Sequence, residues 1–275
     1  MMLPTTHSSQ FLRFQTGQWE TLGRGVIVET PVSLTVNGRL WITLMCTPTD
    51  LEALAVGFLF NEGIVKNREE VDLAQVCPQG DNVDVWINHP VEQPTQWRRT
   101  SGCAGGATAV ILDGQHPELR NGFVLEPRAI NRLVEMLTAA QELYREVGGV
   151  HTSVLSDGER AVVSAEDVGR HNSLDKIAGR CLLDSIDLPR RILITTGRIS
   201  SEMIQKAARI GASIVISRTS ATSLSVSLAE KWGITLIGYA RRDQFIVYTH
   251  PERILQTSGE VCLVFPSKEV CHHDR

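Results

Sequence analysis

The sequence lacks any long apolar run and any excess of basic charge, and each absence argues against a class of protein. No stretch reaches the roughly 18 apolar residues that a membrane helix needs. The 275 residues carry a formal net charge of −4, so no overall positive field attracts nucleic acid. The N-terminus has neither the basic nor the apolar region of a secretory signal. We therefore expect a cytoplasmic protein that binds neither membranes nor nucleic acid.

Closely spaced cysteines are also missing. The six cysteines show no CxxC pair, which argues against a disulfide framework and a zinc site and indicates reduced thiols that mostly pack in the core. The zinc deaminase pattern fails as well, because His151-Thr152-Ser153 has no glutamate. The C-terminal Cys271-His272-His273 has metal-ligand side chains without further ligands nearby, so we expect a disordered end and no protein-bound metal.

The last third of the chain is the most regular part. Apolar runs at 191–196, 213–217 and 234–238 follow one another about twenty residues apart, with helical patterns between them. This alternation predicts βαβ units with parallel pairing, and residues 245–248 add a further strand. The predicted fold class is therefore α/β, with an α+β N-terminal part.

The first 125 residues give weaker signals. Residues 1–30 are polar and predict irregular structure, whereas 26–45 alternate and carry Asn37-Gly38, a hairpin signal. Thr49 and Glu52 form a candidate capping box for a helix that ends near Gly63.

A second long helix is predicted over 126–147, followed by two short strands at 150–155 and 160–165. We predict a domain boundary just before it. The N-terminal domain then spans 1–125 and the C-terminal domain spans 126–275.

Three polar loops are predicted to share one edge of the parallel sheet, the edge at which such sheets bind ligands. Each loop carries arginine and two of them begin helices, so together they favour a phosphate-bearing ligand. Neither G-x-G-x-x-G nor a P-loop is present, so the phosphate must be held in another way. The alternative is that the hydroxyls cap helices and the arginines are solvated. The candidate residues are Thr196, Gly197, Arg198, Ser217, Arg218, Tyr239, Ala240, Arg241, Arg242, Asp243 and Gln244.

A cluster of acid, base and amide side chains spans residues 166–172 and includes His171. It could supply a general acid or base, or contacts to a polar ligand. It could equally be a helix N-terminus with acidic residues at its positive end and a structural histidine.

Cys103 lies in Arg99-Thr100-Ser101-Gly102-Cys103-Ala104-Gly105-Gly106, among glycines and behind two arginines. Glycines leave a thiol accessible, and nearby arginines stabilise a thiolate. The alternative is a small residue that happens to lie in a turn.

Seven segments, in this order along the chain, resemble the formate dehydrogenase accessory sulfurtransferases, the FdhD family. The resemblance extends from about Glu29 to Arg253. The segments are LEALAVGFLFNEGIV (51–65), SGCAGG (101–106), GGVHTS (148–153), EDVGRHNSLDK (166–176), TGRISSEMIQKAARIG (196–211), SRTSATSLSVSLAE (217–230) and YARRDQFIVYTHPERI (239–254).

The resemblance implies a sulfur carrier that accepts persulfide sulfur from a cysteine desulfurase. It passes the sulfur to the molybdenum cofactor, bis(molybdopterin guanine dinucleotide), which formate dehydrogenase then receives. The persulfide cysteine of the family corresponds to Cys103, and its cofactor-binding stretch corresponds to residues 239–244. The family also implies a homodimer and a C-terminal domain similar to cytidine deaminases without their zinc.

One position departs from the family. Many members have a second cysteine three residues after the first, where this chain has Gly106, so Cys103 has to accept and donate sulfur alone. A cofactor-binding chaperone without sulfur chemistry is the main alternative function. A deaminase-like hydrolase would need bound zinc.

Overall fold

A computed structural model of the chain describes residues 3–95, 98–99, 107–108, 119 and 123–254. The first elements in chain order are β1 (Thr6–Gln15), β2 (Gln18–Ile27), β3 (Thr30–Val36), β4 (Arg39–Cys46), α1 (Leu51–Asn61), β5 (Val71–Val76), β6 (Asn82–Ile87), β7 (Arg98–Arg99) and β8 (Ala107–Thr108). The later elements are α2 (Pro127–Ala139), α3 (Glu142–Glu146), β9 (His151–Ser156), β10 (Ala161–Asp167), α4 (Arg170–Leu183), β11 (Ile192–Thr195), α5 (Ser201–Ile210), β12 (Ile214–Ser217), α6 (Ser223–Lys231), β13 (Thr235–Arg241) and β14 (Gln244–Val247). None of the helices among these residues is long and apolar enough to cross a membrane.

The N-terminal elements include a four-stranded sheet of order β4-β3-β6-β5. The hairpin predicted at Asn37-Gly38 is confirmed, since both residues have positive φ (48° and 76°) and join β3 to β4. Such a turn matches the right-handed twist of the strands. One face of the sheet packs against α1 through an apolar cluster that includes Leu34, Val85 and Phe58.

The expectation of irregular structure over residues 1–30 is wrong. Strands β1 and β2 pair over their whole length as an antiparallel ribbon. Its outer part is exposed on both faces and carries Leu12, Phe14 and Trp19, with the last two rings 5.1 Å apart. Sequence periodicity misses this ribbon because neither face is buried, so apolar and polar residues do not alternate.

The capping box predicted at Thr49 is wrong as well. The residue before α1 is Asp50, which has a left-handed backbone (φ 46°) and makes no side-chain bond to the helix. The Thr49 hydroxyl instead accepts a hydrogen bond from Lys176 Nζ at 2.8 Å. The Thr49 hydroxyl, which the local pattern assigns to helix capping, is therefore used in a tertiary hydrogen bond.

The C-terminal elements form a six-stranded sheet of order β10-β9-β11-β12-β13-β14. Strands β11, β12 and β13 are parallel, whereas the other neighbouring pairs are antiparallel. One face packs on α4, α5 and α6, with Leu193, Val215 and Leu236 pointing into that cluster. The opposite face packs on α2 through Ile194 and Ile216. Burial on both faces explains why these strands are continuous apolar runs.

Helices α1 and α4 cross closely and join the two sheets. A Cβ atom on Gly57 would overlap the carbonyl oxygen of Asp175, and one on Gly179 would overlap that of Ala53. Two glycines therefore allow the backbones of the helices to come together. Polar bonds reinforce the contact, since Asn61 Nδ2 donates to Asp175 Oδ1 at 2.7 Å.

The single helix predicted over 126–147 is broken in the structure. Helix α2 ends at Ala139, and α3 begins at Glu142. The Glu166 carboxylate accepts hydrogen bonds from the first backbone N–H groups of α3, at 2.8 Å from Glu142 and 2.6 Å from Leu143. A buried acid from β10 therefore caps the start of a separate helix. The local sequence pattern gives no sign of this contact, because Glu166 is distant in the chain.

The mixed α/β architecture predicted from the sequence is confirmed, including the parallel βαβ units. The expected loop at 239–244 is shorter than predicted, because β13 continues to Arg241 and only Arg242 and Asp243 separate it from β14. The boundary at 125/126 and the likeness to cytidine deaminases stay predictions.

Candidate functional site

The predicted site residues of the six-stranded sheet gather at one edge. Strands β10, β11, β12 and β13 end there, and β9 and β14 begin there. Five strand spacings separate the first from the last, which makes a row about 24 Å long. In strand order the edge presents His171 (after β10), His151, Arg198, Arg218 and Tyr239. We call this row the carboxyl edge.

The turn after β11 is held by neighbouring strands. Thr196 Oγ1 accepts the backbone N–H of Thr152 at 3.1 Å and lies 3.3 Å from His151 Nδ1. Gly197 contacts the Arg170 side chain, and a Cβ there would lie 2.9 Å from Arg170 Cβ. The missing side chain therefore leaves room for Arg170 against the turn. Arg198 next to it is exposed.

The turn after β12 is bonded to the turn after β11. Ser217 Oγ donates to the carbonyl of Gly197 at 2.7 Å, and the backbone N–H of Arg218 donates to the carbonyl of Thr195 at 3.0 Å. The Arg218 Nε atom is buried and has no hydrogen-bond partner among the described residues. The turns after β11 and β12 are thus hydrogen-bonded to each other, and the Arg218 Nε–H is available as a donor.

The third predicted segment begins within β13, at a bulge between Gly238 and Arg241. Tyr239 has a left-handed backbone (φ 50°), an unusual conformation for an aromatic residue, and its N–H donates to the Thr219 carbonyl at 2.9 Å. Tyr239 is 43% exposed. A surface cavity of about 470 Å³ is lined by Tyr239, Arg241, Gln244, Phe245 and Ile246.

The remaining residues of that segment differ in exposure. Arg241, Arg242, Asp243 and Gln244 are exposed, whereas the Ala240 side chain is buried in the core. Any contact from Ala240 to a ligand has to come from its backbone. The segment therefore offers an aromatic ring and exposed charges on one open surface, a combination that suits a nucleotide.

The acids of the 166–172 cluster are committed to the fold. The Glu166 carboxylate accepts hydrogen bonds from the first backbone N–H groups of α3. It also accepts a hydrogen bond from the Thr152 hydroxyl at 3.0 Å. Asp167 pairs with Lys176 at 2.8 Å, both side chains having no exposed surface. Asp167 also accepts the backbone N–H of Thr47 at 3.1 Å. These contacts favour the structural alternative for the two carboxylates over general acid–base catalysis.

The histidines of the carboxyl edge lie in a positive environment. Burial lowers the pKa of His171 well below 6.5, and Lys206, Arg170 and His151 lower it further. Burial, then Arg170, lowers the pKa of His151 too, against an opposing effect of Asp167, while Arg198 lowers it further. Both imidazoles are therefore neutral at pH 7, and their surroundings disfavour a cation. No group of three or more metal-ligating side chains occurs within the described ranges.

Comparison with known proteins gives the family. The sequence profile of the FdhD/NarQ family matches residues 27–255. This chain belongs to the FdhD/NarQ family.

Individual relatives agree with the family match. The sulfur carrier protein FdhD of Bacillus subtilis (strain 168) is 34% identical over 248 residues, covering 88% of this chain and 95% of the relative. The protein of the same name from Staphylococcus aureus (strain MRSA252) is 33% identical over 252 residues, covering 90% and 95%. A crystal structure described as that of a formate dehydrogenase accessory protein from Desulfotalea psychrophila superposes with a TM-score of 0.76 at 31% identity. It covers 92% of this chain and 100% of the other.

The cysteine that corresponds to the FdhD persulfide position, Cys103, lies outside the described residues, as does Gly106. The two-residue strands β7 and β8, which flank residues 100–106, pair with each other. Cys46 is buried, and burial raises its pKa to about 12. Burial raises the pKa of the Cys181 thiol as well. Cys46 and Cys181 are therefore held as protonated core thiols, which confirms the sequence expectation for them.

Sequence analysis did not identify two buried polar residues near the carboxyl edge. Lys206 and Ser200 are each 5% exposed, and Lys206 is among the charges closest to His171. Lys206 lies three residues after Met203 and four before Ile210, so helical spacing places it on the apolar face of α5, although a lysine is not expected to be buried there. Ser200 follows β11 at the start of a helix, which was a usable signal because polar residues at such junctions face the ligand edge of a parallel sheet.

Proposed function

We propose that this protein is a sulfur carrier that accepts persulfide sulfur from a cysteine desulfurase on Cys103. It then delivers the sulfur to bis(molybdopterin guanine dinucleotide) molybdenum cofactor bound at the carboxyl edge, in support of formate dehydrogenase. Membership of the FdhD/NarQ family, whose relatives bear the name sulfur carrier protein, supports the sulfur chemistry. The fold then works as a platform for the substrate cofactor, with Cys103 as nucleophile.

The carboxyl edge is the observation that carries the cofactor part of the proposal. Arg198, Arg218 and Arg241 lie on neighbouring strand ends, with Tyr239 beside them. Arginine forks bind phosphate oxygens in two-point contacts, and an exposed ring provides a face for a nucleobase. A row of about 24 Å accommodates an elongated dinucleotide-bearing substrate.

The sulfur step begins with attack of the Cys103 thiolate on the terminal sulfur of a donor persulfide. The S–S bond of the donor breaks, its cysteine leaves as a thiolate, and a new S–S bond forms on Cys103. An external thiol then attacks the Sγ atom of Cys103, the outer sulfur leaves as sulfide to the cofactor, and Cys103 is left in a mixed disulfide that a second external thiol reduces. Gly106 stands where many family members have a second cysteine, so no thiol at that position is available for this reduction.

The test is mass spectrometry after incubation with a cysteine desulfurase and cysteine. We expect one added sulfur atom on Cys103, none on Cys103→Ser, and an unchanged adduct on Cys77→Ser. Cys77 is a matched control because it is a free, half-buried cysteine elsewhere on the molecule. Cys103→Ser is also expected to abolish activation of formate dehydrogenase.

An intact protein without any sulfur adduct on Cys103 contradicts the sulfur-carrier function. That result would favour the cofactor-binding chaperone. Bound zinc in a metal assay would instead favour a deaminase-like hydrolase.

A further inference from the structure

The β1–β2 ribbon projects from the rest of the protein. Its two strands pair over all 10 residues of each, which at about 3.4 Å per residue makes a ribbon roughly 30 Å long. The base of the ribbon contacts the segment after α3, since a Cβ atom on Gly25 would lie 2.7 Å from Val147 Cγ1. We call residues 10–23 the arm, and every residue of the arm except Leu22 is exposed.

The two faces of the arm differ in charge. Successive side chains of a strand point to opposite faces, and Arg13 and Glu20 form an ion pair across the strands on one of them. The other face has no ionisable side chain, and we call it the uncharged face. It consists of Gln10, Leu12, Phe14, Trp19, Thr21 and Gly23. Depletion of charge together with aromatic side chains is the composition typical of the centre of a protein–protein interface.

The uncharged face exposes three large apolar side chains. Leu12 is 70% exposed, Phe14 is 59% exposed and Trp19 is 69% exposed. The rings of Phe14 and Trp19 lie 5.1 Å apart, so the apolar surface is continuous. A two-stranded ribbon is only marginally stable in water by itself, and packing of its apolar face against other protein stabilises it. The exposed face therefore points to cover by another molecule.

The shape of the uncharged face is complementary to itself. Trp19 and Phe14 form a ridge near the turn of the ribbon, whereas Gly23, four residues after Trp19, has no side chain. No atom of the described residues lies within 4 Å of a Cβ atom built on Gly23. A two-fold axis that crosses the strands at Leu12 would set Trp19 of each copy over Gly23 of the other. The same axis brings the two Leu12 side chains together.

We propose that two copies of this chain associate through the uncharged faces of their arms, packed antiparallel about this axis. The face meets its own image without repulsion between like charges, and each ridge finds a hollow at the matching position. A nucleic acid would instead require basic side chains, which this face lacks. The inference does not depend on the proposed function, and the family match begins at residue 27, after the arm.

The size of the face sets the expected strength of the contact. An aromatic side chain offers about 150–250 Å² when fully buried, so the apolar side chains of both faces, with Gln10 and Thr21 around them, bury on the order of 1,000 Å² in total. Specific interfaces begin at about this size. We therefore expect a reversible dimer with a dissociation constant in the micromolar range.

Sedimentation velocity of the full chain, at loading concentrations from about 1 to 200 µM, tests the proposal over that range. We expect the wild-type protein to pass from monomer to dimer as the concentration rises. Trp19→Ser is expected to raise the dissociation constant at least about tenfold, because tryptophans at the centre of an interface carry much of the binding energy. A wild-type protein that stays monomeric throughout would overturn the proposal.

Trp86→Ser is the matched control for Trp19→Ser. Trp86 lies in β6 of the four-stranded sheet and is 48% exposed, so its replacement removes a comparable exposed ring at a different surface. We expect the dissociation constant of Trp86→Ser to equal that of the wild-type protein. A dimer that Trp19→Ser leaves unchanged would show that the arms do not form the interface.

A charge exchange tests the antiparallel arrangement. Trp19→Glu removes the ridge, and Gly23→Lys fills the hollow, so each variant alone is expected to be monomeric. A mixture of the two is expected to form a dimer, because the introduced carboxylate of one chain faces the introduced ammonium group of the other. The second half of that contact keeps the native Trp19 and Gly23. Variants with wild-type circular dichroism that do not associate on mixing would contradict the proposed packing.

Discussion

Lys176 has no exposed side-chain surface, and all of its bonding capacity is used inside the protein. Its Nζ atom pairs with Asp167 and donates to the carbonyls of Thr47 (3.0 Å) and Glu166 (3.1 Å) and to the Thr49 hydroxyl. This one side chain therefore joins β10 and α4 to the segment between β4 and α1. A buried charge with this many partners specifies how the parts meet.

Removal of the positive charge of Lys176 is expected to destabilise the folded protein. Lys176→Met leaves the Asp167 carboxylate buried without its counter-ion, and we expect a loss of about 3–5 kcal/mol in the free energy of unfolding. Urea denaturation measures this directly. The double variant Lys176→Met with Asp167→Leu removes both charges and is expected to recover part of the loss.

An exposed pair on the ribbon is the matched control. Arg13 and Glu20 form an ion pair at 2.5 Å with about half of each side chain exposed. Glu20→Gln is expected to change the free energy of unfolding by less than about 1 kcal/mol. If Glu20→Gln lost as much free energy of unfolding as Lys176→Met, burial would not determine how strongly an ion pair contributes to stability.

At the scale of elements, the crossing of α1 and α4 depends on two glycines. A methyl group at either position collides with the opposite backbone, so Gly57→Ala and Gly179→Ala have to push the helices apart. We expect each variant to lose at least about 1–3 kcal/mol of stability by thermal or urea unfolding, although alanine favours helices intrinsically. Gly23→Ala is the control because no atom of the described residues lies within 4 Å of its added Cβ, and we expect a change within about 0.5 kcal/mol. Wild-type stability in both helix variants would contradict the close crossing.

For the molecule as a whole, the histidine end of the carboxyl edge predicts a pH dependence. The folded-state pKa values of His171 and His151 lie below the ordinary 6.5, so below that pH the unfolded chain binds protons that the folded protein does not. Stability is therefore complete above about pH 6.5 and declines as the pH falls, by up to about 1.4 kcal/mol per pH unit for each histidine. Urea midpoints at pH 7.0 and 5.5 measure the decline. His171→Gln is expected to flatten it, and His7→Gln, on the exposed ribbon, is the control; an unchanged slope in His171→Gln would oppose the prediction.

Much of the carboxyl edge was predictable because its signals are local. The βαβ alternation places Arg198 and Arg218 just after strand ends, and parallel pairing brings strand ends together. The predictions failed where a distant residue intervenes. Glu166 accepts hydrogen bonds at the start of α3, where a single helix was expected over 126–147. Lys176 donates to the Thr49 hydroxyl, which was predicted to cap α1.

The sequence by itself determined the α/β class, the hairpin at Asn37-Gly38 and the family, because periodicity, turn chemistry and ordered motifs are properties of contiguous residues. Only the tertiary structure decided that Glu166 and Asp167 are structural, and that the His171 imidazole is buried with an Nε2 atom that has no hydrogen-bond partner among the described residues. The physical reason is that burial and charge pairing depend on residues far apart in the chain. Asp167 and Thr47, 120 positions apart, share one hydrogen bond.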